Sequence, residues 1–393
     1  MQPHTAAARG AGGHWLEERK IMVDFEALAV PGVQGLRPYE PGKPVETLER
    51  ELGIRRAVKL ASNENPLGPS PRAVEALRGA LANVHVYPDG GGFALRQALA
   101  ARHGVDPGQI TLGNGSNEIL ELVARAWLAP GCSAVFSRHA FAVYPLVVLA
   151  VSAEMRAAEA LPADSPQPYG HDLAAMAARV DESTRVVFVA NPNNPTGTWV
   201  GAAELETFVA GMPPETLVVI DEAYAEYVEA SEYPDATQWV ARFPNVIVTR
   251  TFSKIHGLAG LRLGYSVSSV QVAELLNRVR QPFNVNSLAQ AAGLAALADA
   301  EHVARSVRVN REGLQQVSGG LEERRLGFIP SVGNFLTFDL RQPAAPVYDA
   351  LLRQGVIVRP VANYGLPTYL RVTIGTAAEN ELFLHALDRV LRA

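Results

Sequence analysis

Short, unbroken apolar runs separated by stretches of helical period fill the middle of this chain. Ile110-Thr111-Leu112, Ala134-Val135-Phe136, Val186-Val187-Phe188-Val189, Leu217-Val218-Val219-Ile220 and Val246-Ile247-Val248 lack the polar alternation of a half-exposed strand. A strand buried on both faces reads this way, and helices between such strands imply parallel pairing. The pattern therefore predicts an α/β fold with a mostly parallel sheet sandwiched between helices. Helices are predicted over 71–81, where Pro71 suits the first turn and Val74, Leu77 and Leu81 share a face, and over 93–101 and 118–128. The texture changes near 284. One helical stretch over 287–319 precedes strand-like segments at 334–338, 356–359 and 369–374 and a closing helix over 379–391, which predicts a smaller α+β domain. Residues 22–73 carry Pro and Gly and little periodicity; they are expected to form an N-terminal arm and part of the small domain. The expected division is thus an extension (1–21), this arm (22–73), a large domain (74–283) and a C-terminal small domain (284–393).

Polar loops at the ends of three of these runs carry the candidate chemistry. Lys254 stands in Arg250-Thr251-Phe252-Ser253-Lys254, with Arg262 further along the same loop. Asp221-Glu222-Ala223-Tyr224 follows Ile220, and Asn191-Pro192-Asn193-Asn194-Pro195-Thr196-Gly197 follows the run ending at Val189. Ligands of open α/β sheets bind at these carboxyl ends. A lysine whose pKa is lowered by burial or nearby cations can form a Schiff base. Ser-Lys alone is a common pair that equally suits an exposed loop. An aspartate straight after a buried strand needs a partner, such as a protonated pyridine nitrogen, or it caps a helix start. The two prolines fix φ around Asn194 and leave its amide to donate to a ring oxygen, with the Tyr224 hydroxyl beside it. Gly115-Ser116-Asn117 opens a predicted helix, where free N–H groups attract phosphate, and Ser253 and Arg262 add donors. By itself that glycine loop is an ordinary strand-to-helix turn. Together the groups describe a pyridoxal-phosphate site.

Composition narrows the alternatives. With 48% hydrophobic and 19% charged residues, the chain can bury a substantial core. A net charge of −5 without Lys/Arg clusters, Arg55-Arg56 and Arg324-Arg325 being short pairs, argues against a nucleic-acid partner. The single cysteine, Cys132, excludes an intrachain disulfide, and nine scattered histidines show no metal-ligand spacing, so no metal is expected. The apolar runs fall short of a membrane span. Residues 1–21 lack the apolar core of a signal peptide and read as a disordered extension, with Met22 a candidate start and the cytoplasm the expected location.

Several strings resemble the histidinol-phosphate aminotransferase family. They are Ser62-Asn63-Glu64-Asn65-Pro66-Leu67-Gly68-Pro69-Ser70, Tyr87-Pro88-Asp89, Gly113-Asn114-Gly115-Ser116-Asn117-Glu118, the Asn191–Gly197 and Asp221–Tyr224 loops, Thr251 to Arg262, and Leu370-Arg371-Val372-Thr373-Ile374-Gly375-Thr376. The likeness runs from about residue 24 to the end. It implies a fold-type I transferase that uses pyridoxal 5′-phosphate (PLP). Lys254 would be the Schiff-base lysine and proton shuttle, Asp221 the partner of the ring nitrogen, and Asn194 and Tyr224 the O3′ donors. Ser116, Asn117, Ser253 and Arg262 would bind the cofactor phosphate, and Phe141 would stack on the ring where relatives often carry tyrosine. Tyr87 would reach the site of a second subunit, making the enzyme a homodimer. Tyr39, Asn194, Arg359 and Arg371 would receive the substrates, histidinol phosphate and glutamate or 2-oxoglutarate, whose anions suit planar guanidinium forks. Ile255-His256 departs from relatives and is expected to affect packing. The same residues also suit an aromatic amino-acid aminotransferase, a decarboxylase of a phosphorylated amino acid or, more remotely, a non-catalytic ligand sensor.

Overall fold

The computed structural model describes residues 23–38, 42–54 and 57–392. The extension 1–21, Met22, Tyr39 and the Arg55-Arg56 pair lie outside the described residues. Thirteen strands are present among those described. In chain order they are β1 (Val58–Lys59), β2 (Ile110–Asn114), β3 (Ser133–Ser137), β4 (Glu154–Ala158), β5 (Thr184–Ala190), β6 (Leu217–Asp221), β7 (Val246–Thr251), β8 (Leu263–Ser268), β9 (Phe328–Ile329), β10 (Phe335–Asp339), β11 (Val356–Ile357), β12 (Arg359–Pro360) and β13 (Tyr369–Thr373).

Seven strands form the large sheet in the order β2-β8-β7-β6-β5-β3-β4, with β4, β3, β5, β6 and β7 parallel. Its apolar runs are buried on both faces. Val187, Val189, Ile220 and Val248 pack with Leu95 and Leu99 on one side. Val186, Phe188, Val219 and Ile247 pack with Ile119, Leu120 and Val123 on the other. The helix Ser116–Trp127 lies on this second face.

β8 is antiparallel to both β7 and β2, unlike the strands the apolar runs marked. The loop 252–262 that joins β7 to β8 is too short for the helical crossover a parallel pair requires. Edge strand β4 is mostly exposed, with Glu154 and Arg156 breaking its sequence, and carries no apolar run to announce it.

Towards the C-terminus, β12-β13-β10-β9 make an antiparallel sheet, and β1 pairs in parallel with β11. The segment 22–73 supplies the helix Val45–Leu52 and strand β1. Two expectations need correction here. The single helical stretch over 287–319 is two helices, Ser287–Leu297 and Ala300–Glu323; the Asp299 side chain accepts from the His302 N–H at 3.2 Å and starts the second. The segment 356–359 divides between β11, which pairs with β1, and β12, which pairs with β13. No helix among the described residues is long and apolar enough to cross a membrane.

Candidate active site

The carboxyl ends of β5, β6 and β7 open into a cleft of about 860 Å³ that Ser62, Asn63, Glu64 and Arg371 also line. Asp221 ends β6, opposite Ala190 of β5 and Thr249 of β7. Its carboxylate is buried: Oδ2 accepts from Tyr144 Oη at 3.1 Å, and Oδ1 has no hydrogen-bond partner among the described residues. Burial pushes its pKa up, while the Tyr144 hydroxyl, Thr249, the Ala223 N–H and Lys254 pull it down.

The loop after β5 is tied at both ends. The Asn191 N–H donates to Asp221 O at 2.9 Å, and its side chain bonds both backbone groups of Val200. From β13, Arg371 Nη1 donates to Asn194 Oδ1, so Nδ2 is the atom Asn194 offers to the cleft. The Thr337 hydroxyl donates to Pro195 O, and the Val332 N–H donates to Gly197 O at 3.1 Å. Residues 332–371 thereby hold this loop from the far side of the sequence. Arg371 also donates to Ala61 O at 2.7 Å.

Lys254 reaches into the cleft with Nζ donating to Ser62 O at 2.9 Å and lying 5.7 Å from the centre of the Tyr224 ring. Desolvation, followed by the positive charge of Arg371, lowers its pKa from 10.5 to about 8 against the opposing pull of Glu64. Tyr224 is buried and its hydroxyl accepts from Asn63 Nδ2 at 2.9 Å. Burial holds its phenol above the ordinary range.

Ser116 and Asn117 start a twelve-residue helix whose N-terminus faces the cleft beside Ser253 and Arg262. Close approach here depends on glycine. Gly115 has φ +79°, and a Cβ on it would lie 2.7 Å from Arg262 Nη2. A Cβ on Gly264 would lie 2.3 Å from the Ser116 nitrogen. Arg262 itself is in the left-handed region at φ +57°, with Nη1 donating to Ala259 O at 3.1 Å. Phe141 lines the cleft and meets Tyr144 edge-on, with ring centres 5.9 Å apart.

Three expected site residues are not among those that line this cleft. Tyr39 lies outside the described residues. Tyr87 is 79% exposed and stacks on Phe283, with ring centres 4.7 Å apart, away from this chain's cleft. Arg359 is buried opposite Arg371 on β12, beside the lining residues instead of among them. His256, buried against Phe252, has its pKa pushed down to about 3 by burial and packs as a neutral ring. Residue patterns had given no role to Ser62, Asn63 or Tyr144. The first two stood inside a noted string; Tyr144 lies in an apolar helix with no local signal.

A doubly covered α/β sheet, an amine of lowered pKa, a buried carboxylate with one open oxygen and an anion-binding helix terminus define an enzyme that holds a carbonyl-bearing anionic cofactor. The chain belongs to the aminotransferase class I and II family, whose model matches residues 55–387. It is 61% identical over 372 residues to histidinol-phosphate aminotransferase 2 of Pseudomonas aeruginosa, covering 94% of this chain and 99% of that protein. A protein of the same name from Methylococcus capsulatus is 57% identical over 369 residues, covering 94% and 100%. The crystal structure of histidinol-phosphate aminotransferase from Sinorhizobium meliloti in complex with pyridoxal-5′-phosphate superposes with a TM-score of 0.85 at 29% identity, covering 92% of this chain and 97% of that one.

Proposed function

We propose that this protein is a PLP-dependent transaminase that exchanges the amino group of L-histidinol phosphate with 2-oxoglutarate, giving imidazole-acetol phosphate and L-glutamate in histidine biosynthesis. The observation that carries the reading is the pairing, in one cleft, of the Lys254 amine with the open Oδ1 of Asp221. The near full-length similarity to enzymes of that name directs the choice of substrate.

The residues present fit PLP. An unpartnered buried carboxylate oxygen answers a protonated ring nitrogen, and the cradle kept open by Gly115 and Gly264 suits a phosphate. When bound, the cofactor supplies an aldehyde for amines and a ring that draws electrons from the substrate Cα. Lys254 would hold the cofactor's aldehyde, and its Nζ, once released by the substrate amine, would be the base that carries the substrate Cα proton. A pKa of about 8 leaves a useful fraction of this amine neutral near neutral pH. Asp221 would keep the ring nitrogen protonated, Asn194 and Tyr224 would orient O3′, and Phe141 would stack on the ring. Ser116, Asn117, Ser253 and Arg262 would hold the phosphate. Arg371 takes the carboxylate of glutamate, with Arg359 and Tyr39 receiving the remaining substrate anion. Tyr87, presented outward by its stack on Phe283, supports a homodimer in which it completes the partner's phosphate site. The cytoplasm is the compartment proposed.

Two measurements test this reading. Borohydride trapping should place the reduced cofactor on Lys254. Paired assays should give a higher kcat/KM for histidinol phosphate than for phenylalanine. An adduct elsewhere would reject the site, and equal or reversed kcat/KM values would reject the substrate.

A further inference from the structure

Asp221 is asked to remain ionised although it is buried, and among the described residues one side chain supplies a formed hydrogen bond to its carboxylate. That side chain is Tyr144, fully buried on the helix Val143–Ala150. Its ring is stacked on Phe188 of β5 at 4.8 Å and 10°, tilted against Phe136 of β3 at 6.2 Å, and met edge-on by Phe141 at 5.9 Å. Three aromatic neighbours leave the ring one orientation, and in it the hydroxyl points at Asp221 Oδ2. An apolar stack has no use for a buried hydroxyl; phenylalanine would fill the same space without having to satisfy one.

We propose that Tyr144 is a positioning residue for the cofactor: its hydroxyl fixes and ionises Asp221 through Oδ2, so that Oδ1 faces a protonated ring nitrogen. The proposal rests on the PLP reading above. A carboxyl that took up a proton in this setting would lose its attraction for the ring nitrogen, and the ring would lose its positive charge. The groups around Asp221 come from several elements: Tyr144 from its helix, Thr249 from β7, the Ala223 N–H and Tyr224 from the following loop, and Lys254 from the β7–β8 loop. After burial, which raises the Asp221 pKa, the Tyr144 hydrogen bond is the largest influence and opposes it. Burial also raises the pKa of the phenol, which keeps Tyr144 protonated and therefore a donor. Thr249 sits opposite Asp221 and also lowers its pKa, but its hydroxyl has no formed hydrogen bond among the described residues, so its contribution is weaker than that of Tyr144. Tyr144 also braces Phe141, so one side chain sets both the carboxylate at the ring's edge and the aromatic over its face.

The test is Tyr144→Phe in the holoenzyme, loaded with PLP labelled with nitrogen-15 in the ring. The expected result is a protonated ring-nitrogen signal in the wild type that moves toward the unprotonated position in the variant. The PLP dissociation constant should rise about tenfold, the size of one hydrogen bond to a charged group. The urea midpoint of the cofactor-free protein should fall modestly, since a buried carboxylate loses one donor. Tyr144→His keeps a donor and should restore the protonated signal. If Tyr144→Phe fails to fold, Tyr144→His is read alone: a protonated ring supports the proposal and an unprotonated one overturns it. A wild-type signal and affinity in Tyr144→Phe would overturn the proposal while leaving the cofactor reading intact. A wild type that binds no PLP would overturn both.

Discussion

Replacing the cleft lysine should make the cofactor-free protein more stable, and the gain should vanish in alkali. The folded protein holds Lys254 at a pKa of about 8, against 10.5 for an ordinary lysine. Between these values the unfolded chain binds the proton that the folded chain has released, so stability rises with pH across that window. Below pH 8 the folded state must carry a desolvated charge facing Arg371. A shift of this size corresponds to about 3 kcal/mol. Lys254→Met removes that penalty and also the hydrogen bond to Ser62 O, worth about 1 kcal/mol. Near pH 7 the variant should therefore be more stable by about 2 kcal/mol, and most of this should be gone by about pH 10. Urea unfolding of both cofactor-free proteins at the two pH values measures the difference, and other titrating groups cancel between them. A variant no more stable than wild type at pH 7, or a gain unchanged at pH 10, would refute the reasoning.

Two further substitutions probe the support of the site. Arg250→Met leaves the buried Glu222, which accepts from Arg250 at 2.6 Å, without its guanidinium, and should destabilise the fold by about 3–5 kcal/mol in chemical denaturation. Asn63→Ala removes the donor that holds the Tyr224 hydroxyl and the acceptor of the Thr373 hydroxyl, at a buried position with φ +55°, and should lower kcat/KM about tenfold while costing about 1–3 kcal/mol in chemical denaturation.

Much of the site is legible because its strands are buried on both faces. Val186–Val189, Leu217–Ile220 and Val246–Val248 each advertise a central strand, and the polar residues after them fall where open sheets bind ligands. This locates Asn194, Asp221 and Lys254 without knowledge of any contact. Strand β4 escapes the same reading because an exposed edge needs no apolar run, and the break before Ala300 escapes because apolar periodicity continues on both sides of a one-residue cap.

The chain's local pattern thus determined which elements form and which reactive groups stand at their ends, since burial and backbone preference act over a few residues. Only the tertiary structure decided which distant groups meet. Asn63 and Tyr224 are 161 positions apart, Arg371 and Asn194 177, and Tyr144 and Asp221 77. Such pairings follow from strand register and from the packing of distant segments on one another. Those choices are made by summed packing over the whole molecule, and no short segment carries them.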